Sequence, residues 1–153
     1  MIAVSPAPTS LHRALLLIAW LFSASSSGAE QATEAVVADY MLGCQGCHLS
    51  DGRGFPARGV PAFPGFVSRF LQVEGGREFL LRVPGVAQSG LSDDRLAVLM
   101  NWLLRTFIPN ELPKDFRAFT AAEVSRWRHH PLADVTATRN ALIARMTDKP
   151  PTH

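Results

Sequence analysis

Cys44-Gln45-Gly46-Cys47-His48 is the segment of this chain whose residue types and spacing can do chemistry. Two thiols three residues apart lie along one edge of a single helical turn. Each can add across one vinyl group of a haem. The histidine that follows can then turn its imidazole onto the iron from the proximal side. One short segment thus offers a covalent tether and one axial ligand for a single haem c.

Two other chemistries use a C-x-x-C pair. A thioredoxin-like redox disulfide follows a strand and opens a helix. Here residues 33–43 read as a helix that ends at the motif, and no β-rich segment precedes it. Structural zinc needs four ligands. The chain has 2 cysteines, and His129 and His130 are adjacent rather than at zinc spacing. The haem reading consumes both thiols as thioethers, so the cysteine count implies no disulfide.

The elements around the motif must hold it in place. The chain has 153 residues, a length that suits one domain. Residues 1–29 read as a signal peptide: His12-Arg13, an apolar run over 14–22, then small residues ending in Ser27-Gly28-Ala29, with cleavage before Glu30. The apolar run is too short for a comfortable membrane span. An uncleaved N-terminal anchor is the alternative. Cleavage removes one charged group, Arg13, and takes the formal net charge from +2 to +1. That near-neutral balance gives no support to nucleic-acid binding. Export fits the motif, because bacterial c-type haem is attached outside the cytoplasm. Once the signal is cleaved, no stable membrane insertion is expected.

The mature chain reads as all-α. A short helix is expected over 32–42, with Val36, Val37, Tyr40 and Met41 apolar, ended by Gly43. Residues 50–65 carry so many Gly and Pro that neither helix nor central strand fits. Short helices are expected over 66–71 and 77–83, separated by Gly75-Gly76, with Pro84 closing the second. Five of the 9 phenylalanines lie between Phe55 and Phe79, and in so small a domain they form a core with the haem.

The best-defined helix spans 93–107. Leu96, Leu99, Met100, Leu103, Leu104 and Phe107 repeat at three- and four-residue spacing. Ser92 is placed as its N-cap, Asp93 and Asp94 complement the positive end of its dipole, and Leu91 with Leu96 can form a hydrophobic staple. Pro109 stops it. Beyond, Thr120-Ala121-Ala122-Glu123 is a capping box opening a short helix through Arg128. A last helix is expected from Pro131 to about Met146.

In this setting residues 34–107 resemble the bacterial class I cytochromes c. A helix leads into C-x-x-C-H. A loop of the form His-x-x-Asp-Gly-x-Gly follows, here His48 to Gly54. Val60-Pro61-Ala62 and Leu91-Ser92-Asp93 then match in the family's order. The resemblance implies a cytochrome c-like small helical domain around one covalent haem, over residues 30–107. Residues 108–153 would form a C-terminal helical extension packed on it. It implies that the Pro61 carbonyl accepts a hydrogen bond from His48 and strengthens it as a ligand. It also implies that Tyr40 and Trp102 form the aromatic pair where the first and closing helices cross.

The sequence departs from the family at the distal ligand. The family usually places a methionine in the loop before the closing helix. Here that loop, residues 84–90, has none. Met100 is the candidate on the closing helix, but its spacing also suits the core. Met41 lies on the proximal element and Met146 on the extension. His129 and His130 could ligate only if the tail folds over the haem. Gln88 is a poor ligand for iron. A sixth position with no protein ligand therefore stays open as an alternative.

The function expected is that of a periplasmic monohaem electron carrier rather than an enzyme, passing one electron between a redox enzyme and an acceptor protein. Arg53, Arg58 and Arg69 are candidates for haem propionate or partner contacts. The alternatives are a haem protein with an open distal site, for ligand binding, sensing or peroxide chemistry, and a haem subunit of a larger oxidoreductase. Distal peroxide chemistry needs a polar donor, and Arg69, Arg77 and Arg82 are the strong donors within 66–90.

Overall fold

The computed structural model describes residues 25–147. Most of the expected signal peptide, residues 1–24, lies outside that range, as does the end of the chain from residue 148. From Val36 onward the described residues form one unit, distinct from those before it.

Helix α1 spans Ser25–Gly43 and starts well before the expected residue 32. Ala29, Glu30, Gln31 and Ala32 are good helix formers with no proline among them, so the helix extends upstream. Its anchored part is Val36, Asp39 and Tyr40, all buried at i, i+3 and i+4. The buried Asp39 carboxylate is paired with Arg95 at 2.5 Å, which ties α1 to the closing helix. After Gly43, the chain makes one further helical turn, α2, over Gln45–His48.

Residues 50–65 form an irregular loop, as the breakers require. It holds a 3₁₀ turn at Pro56–Arg58 and one isolated bridge between Phe55 and Val60. Short helices follow: α3 at Val67–Phe70, α4 at Gly76–Arg82 and α5 at Pro84–Ala87. Val83 is extended, as a residue before proline tends to be, and this separates α4 from α5. The expected distal-ligand loop is therefore partly helical, because Pro84 opens a turn at the first helical position.

Helix α6 spans Asp93–Phe107, the expected range. Its buried stripe is Leu96, Ala97, Leu99, Met100, Leu103 and Leu104. Leu96 belongs to the core cluster and the half-buried Leu91 packs against it. Ser92 does not cap through its side chain. Its hydroxyl serves the Asp94 carboxylate instead, and with the backbone bonds there it holds that carboxyl below its usual range.

The extension contributes α7 at Ala121–Arg128 and α8 at Val135–Thr147. The Thr120 hydroxyl accepts from the Glu123 N–H at 3.2 Å. The reciprocal half of the capping box is missing, because the Glu123 carboxylate is bound by Arg77, at 2.8 Å from Nη2. Helix α8 begins four residues after Pro131. Asp134 sets its start: its carboxylate accepts from the Ala137 N–H at 2.8 Å. Phe119, Val124 and Leu142 carry the extension into the core beside Phe70, Phe79, Leu81 and the α6 stripe.

Polar contacts from the extension converge on residues 65–101. Glu111 accepts from the Gly65 N–H at 2.9 Å and the Ser68 hydroxyl at 3.1 Å. Asn101 on α6 bonds both the N–H and the carbonyl of Phe119. Arg82 donates to the carbonyl of His130 at 2.6 Å. Among the described residues no helix is long and apolar enough to cross a membrane.

Candidate functional site

The turn that carries the motif follows from backbone chemistry. The Cys44 N–H donates to the Tyr40 carbonyl at 2.9 Å, so α1 runs to the first cysteine. The N–H groups of Cys47 and His48 then both donate to the Cys44 carbonyl, at 3.1 and 2.9 Å. This shared acceptor winds the two cysteines and the histidine onto one tight turn. Both thiols are free, Cys44 half-buried and Cys47 exposed. Burial raises the Cys44 thiol above its usual range, and the nearby Asp39 carboxylate adds to the effect.

His48 is held by a ring stack and a backbone hydrogen bond. Its imidazole stacks on the Phe63 ring, with centroids 4.2 Å apart and planes 17° apart. Its carbonyl accepts from the Gly54 N–H at 3.1 Å. Its Nδ1 is buried and makes no formed hydrogen bond among the described residues. The Pro61 carbonyl faces it, outside bonding geometry but near enough to raise its basicity. Burial is the larger effect and lowers the imidazole below its ordinary value of 6.5. The ring is therefore neutral at pH 7, as a metal ligand must be.

Glycine makes the return of the loop possible. Gly54 has φ +58°, and a Cβ there would lie 2.7 Å from the Pro61 oxygen and 2.8 Å from that of Val60. Only a residue without a side chain lets the 60–61 segment lie against the loop that follows His48. The Phe63 N–H donates to the Gly52 carbonyl at 2.8 Å, which fixes the ring that stacks on His48.

An aromatic file connects this site with α6. Tyr40 meets Trp102 at 5.4 Å and Phe107 at 5.1 Å between centroids. Phe107 meets Phe63 at 5.6 Å, and Phe63 carries His48. The expected Tyr40–Trp102 pair is thus present and forms one end of a longer series.

The candidate distal residues are scattered. Met100 is buried in the core stripe of α6 and Met146 packs against the same core from α8. Met41 is 56% exposed. Gln88, His129 and His130 are exposed. Several arginines that the sequence offers as haem contacts or as distal donors already have partners. Arg53 pairs with Asp51 at 2.6 Å, and Arg58 lies over the Phe55 ring at 5.9 Å. Arg77 is bound by Glu123 and sits 3.9 Å from the centroid of Phe119, and Arg82 is used by the extension.

One residue that sequence reasoning passed over is Arg128. Its side chain is 7% exposed. It donates to the carbonyls of Ala87, Ser89 and Leu91 and to the Asp93 carboxylate. These bonds satisfy the end of α5 and pin the short connection to α6. Nothing in the local sequence marks it, since its partners lie 35 to 41 residues away.

The residues present fit a haem c. Two free thiols flank one turn, a neutral imidazole follows, and its buried Nδ1 is aimed at a carbonyl, which leaves Nε2 for iron. Among the described residues no cluster of His, Cys, Asp and Glu could hold a bare metal ion.

No family model matches the chain. Two curated relatives, both named cytochrome c-552 and both from Thermus thermophilus, are 31% identical to it over 103 residues. The aligned region is 56% of this chain, 78% of one relative and 69% of the other. With that similarity over a helical fold built around C-x-x-C-H, the chain belongs to the bacterial c-type cytochromes, electron carriers that bind haem c covalently.

Proposed function

We propose that this protein is a periplasmic monohaem one-electron carrier, exported by the segment 1–29 and working between a redox enzyme and an acceptor protein. Cys44 and Cys47 form the two thioethers and His48 is the proximal ligand. Haem, once bound, supplies a ferric/ferrous couple. The protein's part is to hold that group rigidly in an apolar site. The Phe63 ring fixes the plane of the imidazole, and the Pro61 carbonyl draws the Nδ1 proton and so strengthens Nε2 as a donor. The observation that carries this reading is the buried, unpartnered Nδ1 of His48 facing Pro61, directly after two free thiols.

The test is a redox titration of protein matured with the haem-attachment machinery. A reversible one-electron transition with a normal reduced c-type spectrum is expected. Irreversible or multi-electron behaviour would contradict the reading.

A second reading is favoured by a specific observation. Met100 is buried in the α6 stripe, and the connection from α5 to α6 is a short segment without methionine, fastened by Arg128. We infer that none of Met41, Met100 and Met146 fills the sixth position and that the exposed His129 and His130 do not either, which leaves it to water or an added small ligand. Immediate carbon monoxide binding by the reduced protein would support this. Low-spin iron in both oxidation states, unchanged by carbon monoxide, would contradict it.

A further inference from the structure

We propose that Tyr40 is a positioning residue for the haem ligand: its hydroxyl holds the Leu49 carbonyl and thereby fixes the loop that brings Gly54 and Pro61 back onto His48. This rests on His48 being the proximal ligand.

Leu49 is the residue immediately after His48, and its φ is +63°. Among the described residues it is the one non-glycine residue with positive φ. Side chains other than glycine rarely adopt that region, so something must hold the backbone there. The Tyr40 hydroxyl donates to the Leu49 carbonyl at 2.5 Å. A second, longer bond reaches the same oxygen from the Gly52 N–H at 3.4 Å. The strained residue is therefore fastened by a side chain one turn before the first cysteine.

Tyr40 is well suited to the role. It is 2% exposed and wedged between Trp102 and Phe107, so its ring cannot swing away. Burial pushes its hydroxyl up to about 12, with Cys44 and Asp51 adding to the shift, so it stays a donor throughout the physiological range.

The positive-φ conformation at Leu49, with ψ 170°, decides where the following loop goes. With it, the Gly54 N–H reaches the His48 carbonyl and Pro61 reaches the Nδ1 side of the imidazole. Without it, Leu49 relaxes to negative φ and the Pro61 carbonyl drifts from Nδ1. The imidazole then becomes a weaker donor, which stabilises ferric iron less.

The test uses holoprotein carrying Tyr40→Phe, Leu49→Gly and the pair together. Tyr40→Phe keeps the ring and its packing but removes the donor. At a fixed ambient potential the ferrous-to-ferric ratio is expected to rise about threefold. Glycine adopts positive φ without strain, so Leu49→Gly in the Tyr40→Phe background is expected to restore the wild-type ratio. A merely structural hydroxyl would not be rescued this way, because Leu49→Gly removes side-chain packing and adds none. If Tyr40→Phe does not fold, the double variant is expected to fold, and its failure to do so overturns the proposal. An unchanged ratio in Tyr40→Phe, or a shift that persists in the double variant, also overturns it. A wild-type protein that takes up no haem would instead refute the ligand assignment itself.

Discussion

The Arg128 guanidinium lies 3.1 Å from the Asp93 carboxylate and links the end of α7 to the first residue of α6. The same guanidinium holds the Ser89 carbonyl at 2.5 Å and that of Leu91 at 2.8 Å. One buried side chain from the extension therefore closes the segment between α5 and α6. The connection between α5 and α6 is thereby fastened at three backbone carbonyls, those of Ala87, Ser89 and Leu91.

Replacing Arg128 by alanine would leave the carbonyls of Ala87, Ser89 and Leu91 and the Asp93 carboxylate without their guanidinium partner. A loss of about 3 kcal/mol is expected, in the range for breaking a buried hydrogen-bonded charge. Urea unfolding of the holoprotein measures it, and a change below about 0.5 kcal/mol would show that the contacts are dispensable.

Asp93 gives this link a pH dependence. Arg128, and then Ser125, hold its carboxyl below the ordinary value of 3.8. A carboxyl lowered by folding stabilises the protein fully above its unfolded value, and that contribution is lost as pH falls through the folded value. The wild type should therefore lose stability more steeply below pH 3.8 than Asp93→Asn does. Thermal melts between neutral and acid pH would show it. Parallel curves for the two proteins would contradict it.

Gly54→Ala should damage the site directly. Its Cβ would collide with the oxygens of Val60 and Pro61, at a backbone angle that alanine avoids. A cost of about 2 kcal/mol is expected from the strained φ and the displaced carbonyls together. The ferrous form should also gain relative to the ferric, since the Pro61 carbonyl is forced off His48. A combined melt and redox titration reads both effects.

Much of this arrangement is legible in the sequence, for identifiable reasons. Helix α6 announces itself because its leucines repeat at helical spacing and Pro109 limits it. The turn at Cys44 to His48 follows from the motif's chemistry. Helix α8 starts later than Pro131 suggests, although a proline suits a first helical position. Asp134 prevails because it satisfies the Ala137 N–H, which Pro131 cannot do. Arg128, Glu111 and the Asp39–Arg95 pair are not legible at all. Their partners lie 35 to 56 residues away, and no local pattern distinguishes a buried arginine from a solvated one.

Met100→Leu separates a core role from a ligand role. A core methionine is replaced by leucine at a cost below about 1.5 kcal/mol. The spectra of both oxidation states should be unchanged. A shift from low-spin to high-spin iron in the variant would make Met100 the sixth ligand and refute the open-position reading.

The central claim is that Cys44, Cys47 and His48 bind one haem through two thioethers and one imidazole. Its most direct test is the intact mass of the exported protein, matured with the haem-attachment machinery, denatured and treated with a thiol reagent. The account predicts the polypeptide mass plus one haem, with no thiol labelled. A haem-free mass with two labelled thiols would contradict it.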